Sequence, residues 1–179
     1  MEALDYAAYR ERWLSHGYAA SHIITEECWR VIENFLPPAG HTFEAGSGLS
    51  TVLFDAAGCQ HVALEHSGHW MQWLTLFPLT TARVIHAPLV GKPPWYDYTA
   101  TMLFGLVLID GPPARIGRAG ILSRISQLVH FNSVIIVDDA QTQAGRKLAK
   151  AIAYQIGFER EYFGNGKRDF IVLKRGCNE

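Results

Sequence analysis

The chain is 179 residues long, with 49% hydrophobic and 18% charged residues. These values are typical of one globular domain of ordinary size and exclude disordered and fibrous proteins. The formal net charge is −1, so we expect neither a nucleic acid nor a membrane as the main partner.

The cysteines and the N-terminal stretch indicate the compartment. Cys28, Cys59 and Cys177 are an odd number without CxxC spacing, which is typical of reduced thiols. The stretch MEALDYAAYRERWL carries charges throughout and lacks the apolar segment of a signal peptide. No apolar run is long enough to span a bilayer. We therefore expect a cytoplasmic protein.

Residues 1–40 are predicted to be helical. Apolar residues recur at steps of three and four before the first proline: Trp29, Ile32, Phe35 and Leu36. Thr25 precedes two glutamates and is a candidate N-cap, and the pair Pro37-Pro38 ends the helix. These helices are either a lid over a site or an arm that forms a homodimer.

Residues 41–175 alternate between short apolar strands and helical segments, which predicts a doubly wound, mostly parallel α/β sheet. The runs LVLID and VIIVD are apolar on both faces, as expected for parallel strands covered on both sides. The candidate strands are His41–Ala45, His61–Glu65, Ala82–His86, Phe104–Asp110 and Ser133–Asp138. The candidate helices are Ser50–Ala57, Gly68–Leu76, Ala119–Val129 and Ala140–Ile156.

The C-terminal stretch EREYFGNGKRDFIVLKR departs from this alternation. It predicts two antiparallel strands around a turn at Asn165-Gly166. With this hairpin the sheet has seven strands and is Rossmann-like, but a plain dinucleotide-binding fold would continue with another crossover helix.

The stretch EAGSGLST, from Glu44 to Thr51, follows the first predicted strand. Gly46 and Gly48 let the backbone turn sharply and let a ligand approach it. Thr51 stands where a G-x-G-x-x-G dinucleotide fingerprint has its third glycine. The two glycines mark either a nucleotide-type site or a tight turn between a strand and a helix.

Two acids stand at the ends of neighbouring predicted strands. Glu44 ends the first strand, where a buried carboxylate is costly unless it has a partner such as a ligand ammonium group. Glu65 ends the second strand, where a carboxylate can accept hydrogen bonds from ribose hydroxyls. S-adenosylmethionine carries both an ammonium group and a ribose.

With these motifs, and with LVLIDGPP and VIIVDDA at the later strands, the chain resembles the class I S-adenosylmethionine-dependent methyltransferases, most closely small bacterial O-methyltransferase-like domains. The resemblance implies one domain over residues 1–179, with a cofactor-binding core at 41–175. It places Gly46, Ser47 and Gly48 at the methionine end of the cofactor, with Glu44 near its ammonium and Ser50 and Thr51 at the helix start. It places Glu65 on the ribose, His66, His86 and Ala87 around the adenine, and Asp110 beside the reactive end.

Asp110, Asp138 and Asp139 follow the two most apolar strands, so we expect their carboxylates to meet at one edge of the sheet. Together they suit a divalent metal ion, or Asp110 or Asp139 acts as a general base on a hydroxyl substrate. The structural alternative is that one aspartate caps the helix near Gln141 and another pairs with an arginine.

Candidate acceptor-binding residues lie in two segments. Trp95 and Tyr96 are in PPWYDY, which either walls an acceptor pocket or is a packed connector. Arg115 and Arg118 follow IDGPP and either bind an anionic acceptor or lie on the surface.

The resulting prediction is an S-adenosylmethionine-dependent methyltransferase that acts on an oxygen of a small molecule. The alternatives are a nicotinamide-dependent oxidoreductase on a Rossmann sheet and a non-catalytic S-adenosylmethionine-binding domain.

Overall fold

The computed structural model describes residues 4–20, 23–37 and 40–176. Pro38 and Cys177, which entered the sequence analysis, lie outside these ranges. Cys28 and Cys59 are buried free thiols. Within the described ranges, the helices are too short or too polar to cross a membrane.

The elements follow the predicted order, with one added hairpin of two short strands between the predicted strands Ala82–His86 and Phe104–Asp110. The helices are α1 Tyr6–Ser15, α2 Glu26–Asn34, α3 Leu49–Ala56, α4 Gly68–Leu74, α5 Ile125–Leu128 and α6 Gln143–Ile156. The strands are β1 His41–Ala45, β2 Gln60–Glu65, β3 Ala82–His86, β4 Leu89–Val90, β5 Trp95–Tyr96, β6 Phe104–Ile109, β7 Val129–Val137, β8 Glu159–Phe163 and β9 Phe170–Lys174.

Seven strands form one sheet in the order β3-β2-β1-β6-β7-β9-β8. The pairs from β3 to β7 are parallel, whereas β9 is antiparallel to both β7 and β8. The predicted Rossmann-like sheet with a terminal antiparallel hairpin is confirmed. The chain runs outward from β1 on one side and returns on the other, so the strand order reverses between β1 and β6. Ligands of open α/β sheets bind above this point, at the carboxyl ends of the strands.

Two hydrophobic clusters cover the two faces of the sheet. Alternate residues of β6 enter different clusters: Leu106 and Leu108 pack with α2 and α3, while Val107 and Ile109 pack with α6 and β5. The predicted strand with two apolar faces therefore has both faces covered. Trp13 of α1 and Trp29 of α2 are fully buried in the first cluster. The segment predicted as a lid or an arm is thus packed against the sheet layer.

Some helix and strand boundaries differ from the predicted ones, and side-chain hydrogen bonds account for two of these differences. Thr142 caps α6, accepting from Gly145 N at 3.0 Å, so this helix begins later than predicted. The predicted helix Ala119–Val129 is instead a 3-10 helix, Ala119–Ser123, followed by α5. The strand β7 begins at Val129, since Ser133 Oγ donates to Phe104 O and holds this early part of the strand beside β6.

The terminal hairpin has a longer connection than a two-residue turn. Gly166 has φ +84°, and its N–H donates to Asp169 Oδ1 at 2.6 Å. The Asn165-Gly166 turn therefore lies inside a connection at residues 164–169 that Asp169 closes.

Candidate functional site

A cavity of about 440 Å³ lies over the carboxyl ends of the central strands. Ten of the predicted site residues line it: Gly46, Ser47, Glu65, His66, Tyr96, Asp110, Arg115, Arg118, Asp138 and Asp139. The lining also includes six residues that the sequence did not single out: Ser67, Trp70, Gly111, Pro113, Ala114 and Arg168. The sheet order places this cavity where the strand order reverses, as the sequence predicts.

The first loop brings its backbone close to the loop after β6. Gly46 has φ +98°, a conformation that favours glycine, and its N–H donates to Leu64 O at 2.9 Å. A Cβ added at Gly46 would lie 3.1 Å from Gly111 N, so the two loops leave no room for a side chain there. Trp70 Nε1 donates to Ser47 O at 2.6 Å and fixes the next residue of the loop. The cavity floor is therefore made of tightly packed backbone.

Glu44 does not face this cavity, which corrects the prediction that it lies near a ligand ammonium. It is aligned in the sheet with Leu108, whose side chain packs in the cluster that contains α3. Its carboxylate therefore points under α3 and is 1% exposed. It accepts hydrogen bonds from Ser50 Oγ and, at 2.7 Å, from Thr51 Oγ1. The partner that a buried carboxylate needs is supplied by the protein.

Ser50 and Thr51 act with Glu44 and also lie away from the cavity lining, as does Gly48. Thr51 Oγ1 accepts from Gly48 N at 3.0 Å while it donates to Glu44. His61 Nε2 lies 3.4 Å from Glu44 Oε2, the oxygen that accepts from Thr51, and its Nδ1 lies 2.9 Å from Thr42 Oγ1. These residues, predicted as cofactor ligands, instead hold the loop and the start of α3 in place.

Glu65 faces the cavity and is held by its own loop. Oε2 accepts from Ser47 Oγ at 3.0 Å, and Oε1 accepts from Ser67 N at 2.8 Å. His66 Nδ1 lies 3.0 Å from Oε1. A carboxylate has about four acceptor positions, so Glu65 keeps capacity for ligand hydroxyl groups in a fixed orientation.

Three further predicted residues lie beside the cavity and not in its lining. His86 Nε2 lies 3.2 Å from His66 O. Ala87 is buried, and its N–H donates to Glu65 O at 2.8 Å. Trp95 and Tyr96 are both buried in the cluster on the α6 face, but only Tyr96 belongs to the cavity lining. Through these contacts His86 and Ala87 hold the backbone of the cavity-lining residues His66 and Glu65.

Arg118 joins the two loops that carry the aspartates. Its Nη2 donates to Asp139 Oδ2 at 2.7 Å and lies 3.4 Å from Asp110 Oδ1. Its other nitrogens donate to backbone oxygens, at 2.9 Å to Pro112 and at 3.1 Å to Asp138. The side chain is 8% exposed, so Arg118 is not a surface arginine, and it lines the cavity with its guanidinium already bonded by the protein. Arg115 is exposed at the cavity edge.

The aspartates are close enough to affect one another's protonation. One oxygen of each of Asp110, Asp138 and Asp139 lies within 4.8 Å of the others. Burial and the nearby Asp138 carboxylate raise the pKa of Asp110 well above its ordinary value, although Arg118 opposes this shift. Burial and the neighbouring Asp139 raise the pKa of Asp138. The predicted meeting of the carboxylates is confirmed, and one guanidinium lies among them.

This arrangement does not fit a resident divalent metal ion. The oxygen ligands are of the right type, but Arg118 already bonds Asp139 and neutralises part of the cluster. A metal ion bound by all three carboxylates would compete with Nη2 of Arg118 for the carboxylates of Asp110 and Asp139. Of the structural alternative, the pairing of an aspartate with an arginine is confirmed by Asp139 and Arg118, whereas the helix cap is Thr142 and not an aspartate.

Comparison with known proteins finds similarity in structure alone. No protein-family model matches the chain, and no curated protein matches it. Solved structures of methyltransferases do match, over nearly the whole chain.

A methyltransferase from Podospora anserina, bound to S-adenosylhomocysteine, is 14% identical, covers 97% of this chain and 89% of its own, and has a TM-score of 0.66. A putative caffeoyl-CoA O-methyltransferase from Staphylococcus aureus is 12% identical, with coverages of 97% and 93% and a TM-score of 0.64. A glycopeptide N-methyltransferase is 12% identical, with coverages of 98% and 100% and a TM-score of 0.61. The fold is that of class I S-adenosylmethionine-dependent methyltransferases.

We expect Glu44→Gln to lower the free energy of unfolding by about 1–3 kcal/mol, because the amide nitrogen would face the donors Ser50 and Thr51. Urea denaturation measures this loss. Glu161→Gln is the matched control, since Glu161 is exposed and pairs with Lys174 at 3.1 Å, and it should cost less than about 1 kcal/mol. Equal losses in the two variants would contradict the internal role of Glu44.

We expect Asp110→Asn to stabilise the protein increasingly as pH rises. The folded state releases the proton of Asp110 at a higher pH than the unfolded chain, which releases it near the ordinary pKa of 3.8. The raised pKa therefore reduces wild-type stability as pH rises from that value through the folded-state pKa, and the asparagine variant lacks this loss. Thermal melts from about pH 4 to about pH 8 measure the difference. Asp97→Asn, at an exposed aspartate, is the control. A difference between Asp110→Asn and wild type that does not change with pH would contradict the interpretation.

Proposed function

We propose that the protein is an S-adenosylmethionine-dependent methyltransferase that transfers a methyl group to an oxygen of a small molecule. The observation that carries the proposal is that Gly46, Glu65 and Asp110 line one cavity where the strand order reverses. A glycine floor, a ribose acceptor and a carboxylate at the reacting end are the parts that this cofactor needs. The fold that the chain shares with known methyltransferases supports the same conclusion.

The proposal assigns the cofactor to the side of the cavity formed by β1 and β2. Glu65 accepts hydrogen bonds from the ribose hydroxyls, and its bonds to Ser47 and Ser67 fix its orientation before the ligand arrives. Gly46 and Ser47 pass below the ligand, and His66 lies at the rim. When bound, S-adenosylmethionine supplies a methyl group already activated by its sulfonium. The contribution of the protein is then mainly alignment.

The oxygen target rests on the aspartates. A hydroxyl acceptor must lose its proton, and a carboxylate with a raised pKa is a better proton acceptor near neutral pH. Asp110 combines a raised pKa with a long contact to Arg118, whereas Asp139 is bonded by Arg118 at 2.7 Å and by Gln141 Nε2 at 3.1 Å. We therefore assign Asp110 as the base and Asp139 as a residue that positions Arg118.

Further observations support proposals for the acceptor, the cellular location and the oligomeric state of the protein. Arg115 at the cavity edge can contact an anionic group of the acceptor. The cavity volume of about 440 Å³ suits a cofactor together with a small molecule. A cytoplasmic location rests on the reduced cysteines, and a homodimer stays a prediction.

Calorimetric titration with S-adenosylhomocysteine and with NADH tests the cofactor. We expect binding of S-adenosylhomocysteine alone, and Glu65→Gln should weaken it by about 1–3 kcal/mol through loss of a charge-assisted hydrogen bond. Glu11→Gln changes an exposed glutamate of α1 in the same way and should leave the affinity unchanged. Binding of NADH alone would replace this proposal with an oxidoreductase.

We expect methyl transfer to continue in the presence of a metal chelator, because Arg118 supplies the cation within the aspartate cluster. The measurement is transfer of labelled methyl groups to a panel of phenols, sugars and carboxylic acids, with and without EDTA. Asp110→Asn should abolish transfer to hydroxyl acceptors while S-adenosylhomocysteine still binds. Loss of activity with EDTA and its return with Mg²⁺ would show that a metal ion displaces the arginine. Binding of the cofactor without transfer to any acceptor would favour the non-catalytic alternative.

A further inference from the structure

The hydroxyl group of Tyr96 is buried and has no hydrogen-bond partner within residues 4–20, 23–37 and 40–176. The residue is 2% exposed and lines the cavity. A buried hydroxyl without a partner costs free energy, since it has given up its bonds to water. Such a group at a ligand cavity indicates that the ligand supplies the missing partner.

The packing around this hydroxyl fixes its place on the cavity floor. A Cβ added at Gly111 would overlap Tyr96 Oη and would lie 2.8 Å from both N and Cα of Gly46. The hydroxyl therefore lies beside the two glycines that join the first loop to the loop after β6. The ring of His66 is 6.1 Å from the Tyr96 ring, centroid to centroid, in an edge-on arrangement.

The charges around Tyr96 decide whether its hydroxyl keeps its proton and can act as a hydrogen-bond donor. Burial and the carboxylates of Glu65, Asp110 and Glu44 raise its pKa far above the ordinary value, while Arg118 opposes the shift. The phenol therefore keeps its proton and is available as a donor. The charged residue that shifts this pKa most is Glu65, the proposed ribose acceptor, and no described atom accepts the proton of Tyr96.

We propose that Tyr96 Oη donates a hydrogen bond to a ribose oxygen or an adenine nitrogen of the bound cofactor. The inference rests on the proposed function and changes the predicted role of Tyr96 from a wall of the acceptor pocket to a ligand of the nucleoside. Glu65 and Tyr96 then form a complementary pair, in which the carboxylate accepts from the ribose hydroxyls and the phenol donates to a neighbouring acceptor atom.

Tyr18 provides a matched control within the same chain. Its hydroxyl also lacks a hydrogen-bond partner in the part of the chain that the structure describes, and it is buried. Its ring stacks on Trp13 with centroids 4.2 Å apart, in the aromatic cluster of α1 and α4, and it does not line the cavity. Removal of either hydroxyl makes the same chemical change, but only Tyr96 belongs to the cavity lining.

The test is calorimetric titration of wild type, Tyr96→Phe and Tyr18→Phe with S-adenosylhomocysteine and with 5′-methylthioadenosine, which lacks the amino-acid end. We expect Tyr96→Phe to bind both ligands about 3- to 10-fold more weakly, the loss that one neutral hydrogen bond gives. Tyr18→Phe should bind both as wild type does.

Thermal melts without ligand give a second measurement. In this measurement Tyr96→Phe should gain stability, although it loses affinity for the ligands. Because each variant removes a buried hydroxyl that lacks a partner, both should melt about 2–4 °C higher than wild type. A tyrosine hydroxyl with a purely structural role would instead make Tyr96→Phe less stable or unfolded, which would contradict the proposal.

Two binding outcomes would overturn the inference while leaving the proposed function in place. Unchanged affinity of Tyr96→Phe for both ligands would show that the hydroxyl does not contact the cofactor. A loss with S-adenosylhomocysteine alone would move the contact to the amino-acid end. Failure of wild type to bind either ligand would instead overturn the proposed function.

Discussion

A single buried guanidinium, that of Arg118, connects the ends of β6 and β7 and the loop between β6 and α5. It donates to backbone oxygens of Pro112 and Asp138 and to the carboxylate of Asp139. Three carboxylates within 4.8 Å of one another would repel strongly at a desolvated strand end. Arg118 offsets part of that repulsion from a fixed position, and the shape of the cavity beside the aspartates depends on this contact.

Glu44 and Glu65 show how the direction of a side chain in a sheet decides between structure and function. Both lie at the carboxyl ends of neighbouring parallel strands, Glu44 next to last in β1 and Glu65 last in β2, and both are almost fully buried. Glu44 points under α3, where Ser50 and Thr51 satisfy it, whereas Glu65 lies one step beyond the β1–β2 pairing and reaches the cavity. The first acid fixes the loop that the second acid needs as a neighbour, because Ser47 in that loop orients Glu65.

The sequence predicted the fold well because the patterns that indicate strands and helices are local in the chain. The strands β1 and β3 have the predicted bounds, and β2 and β6 differ by one residue, since apolar runs and flanking turns define them. The sequence offered, as an alternative, an aspartate paired with an arginine, but it could not predict which partners Arg118 takes, since they stand up to 21 residues away and meet only once β6 and β7 pair. The same limit applies to Glu44, whose partner His61 comes from the neighbouring strand.

The polar groups of the cavity fall into two kinds, and the difference follows from how the loops pack. Glu65 and Arg118 are oriented by the protein, so a ligand meets them already in position, which reduces the entropy lost on binding. Tyr96 is held just as tightly, by the close approach of Gly46 and Gly111, but the same packing leaves its hydroxyl without a described partner. A floor built from two glycines excludes other side chains that would satisfy that hydroxyl. The close packing that shapes the cavity therefore also leaves, among the described residues, a buried donor beside its floor that the proposed contact with the nucleoside would satisfy.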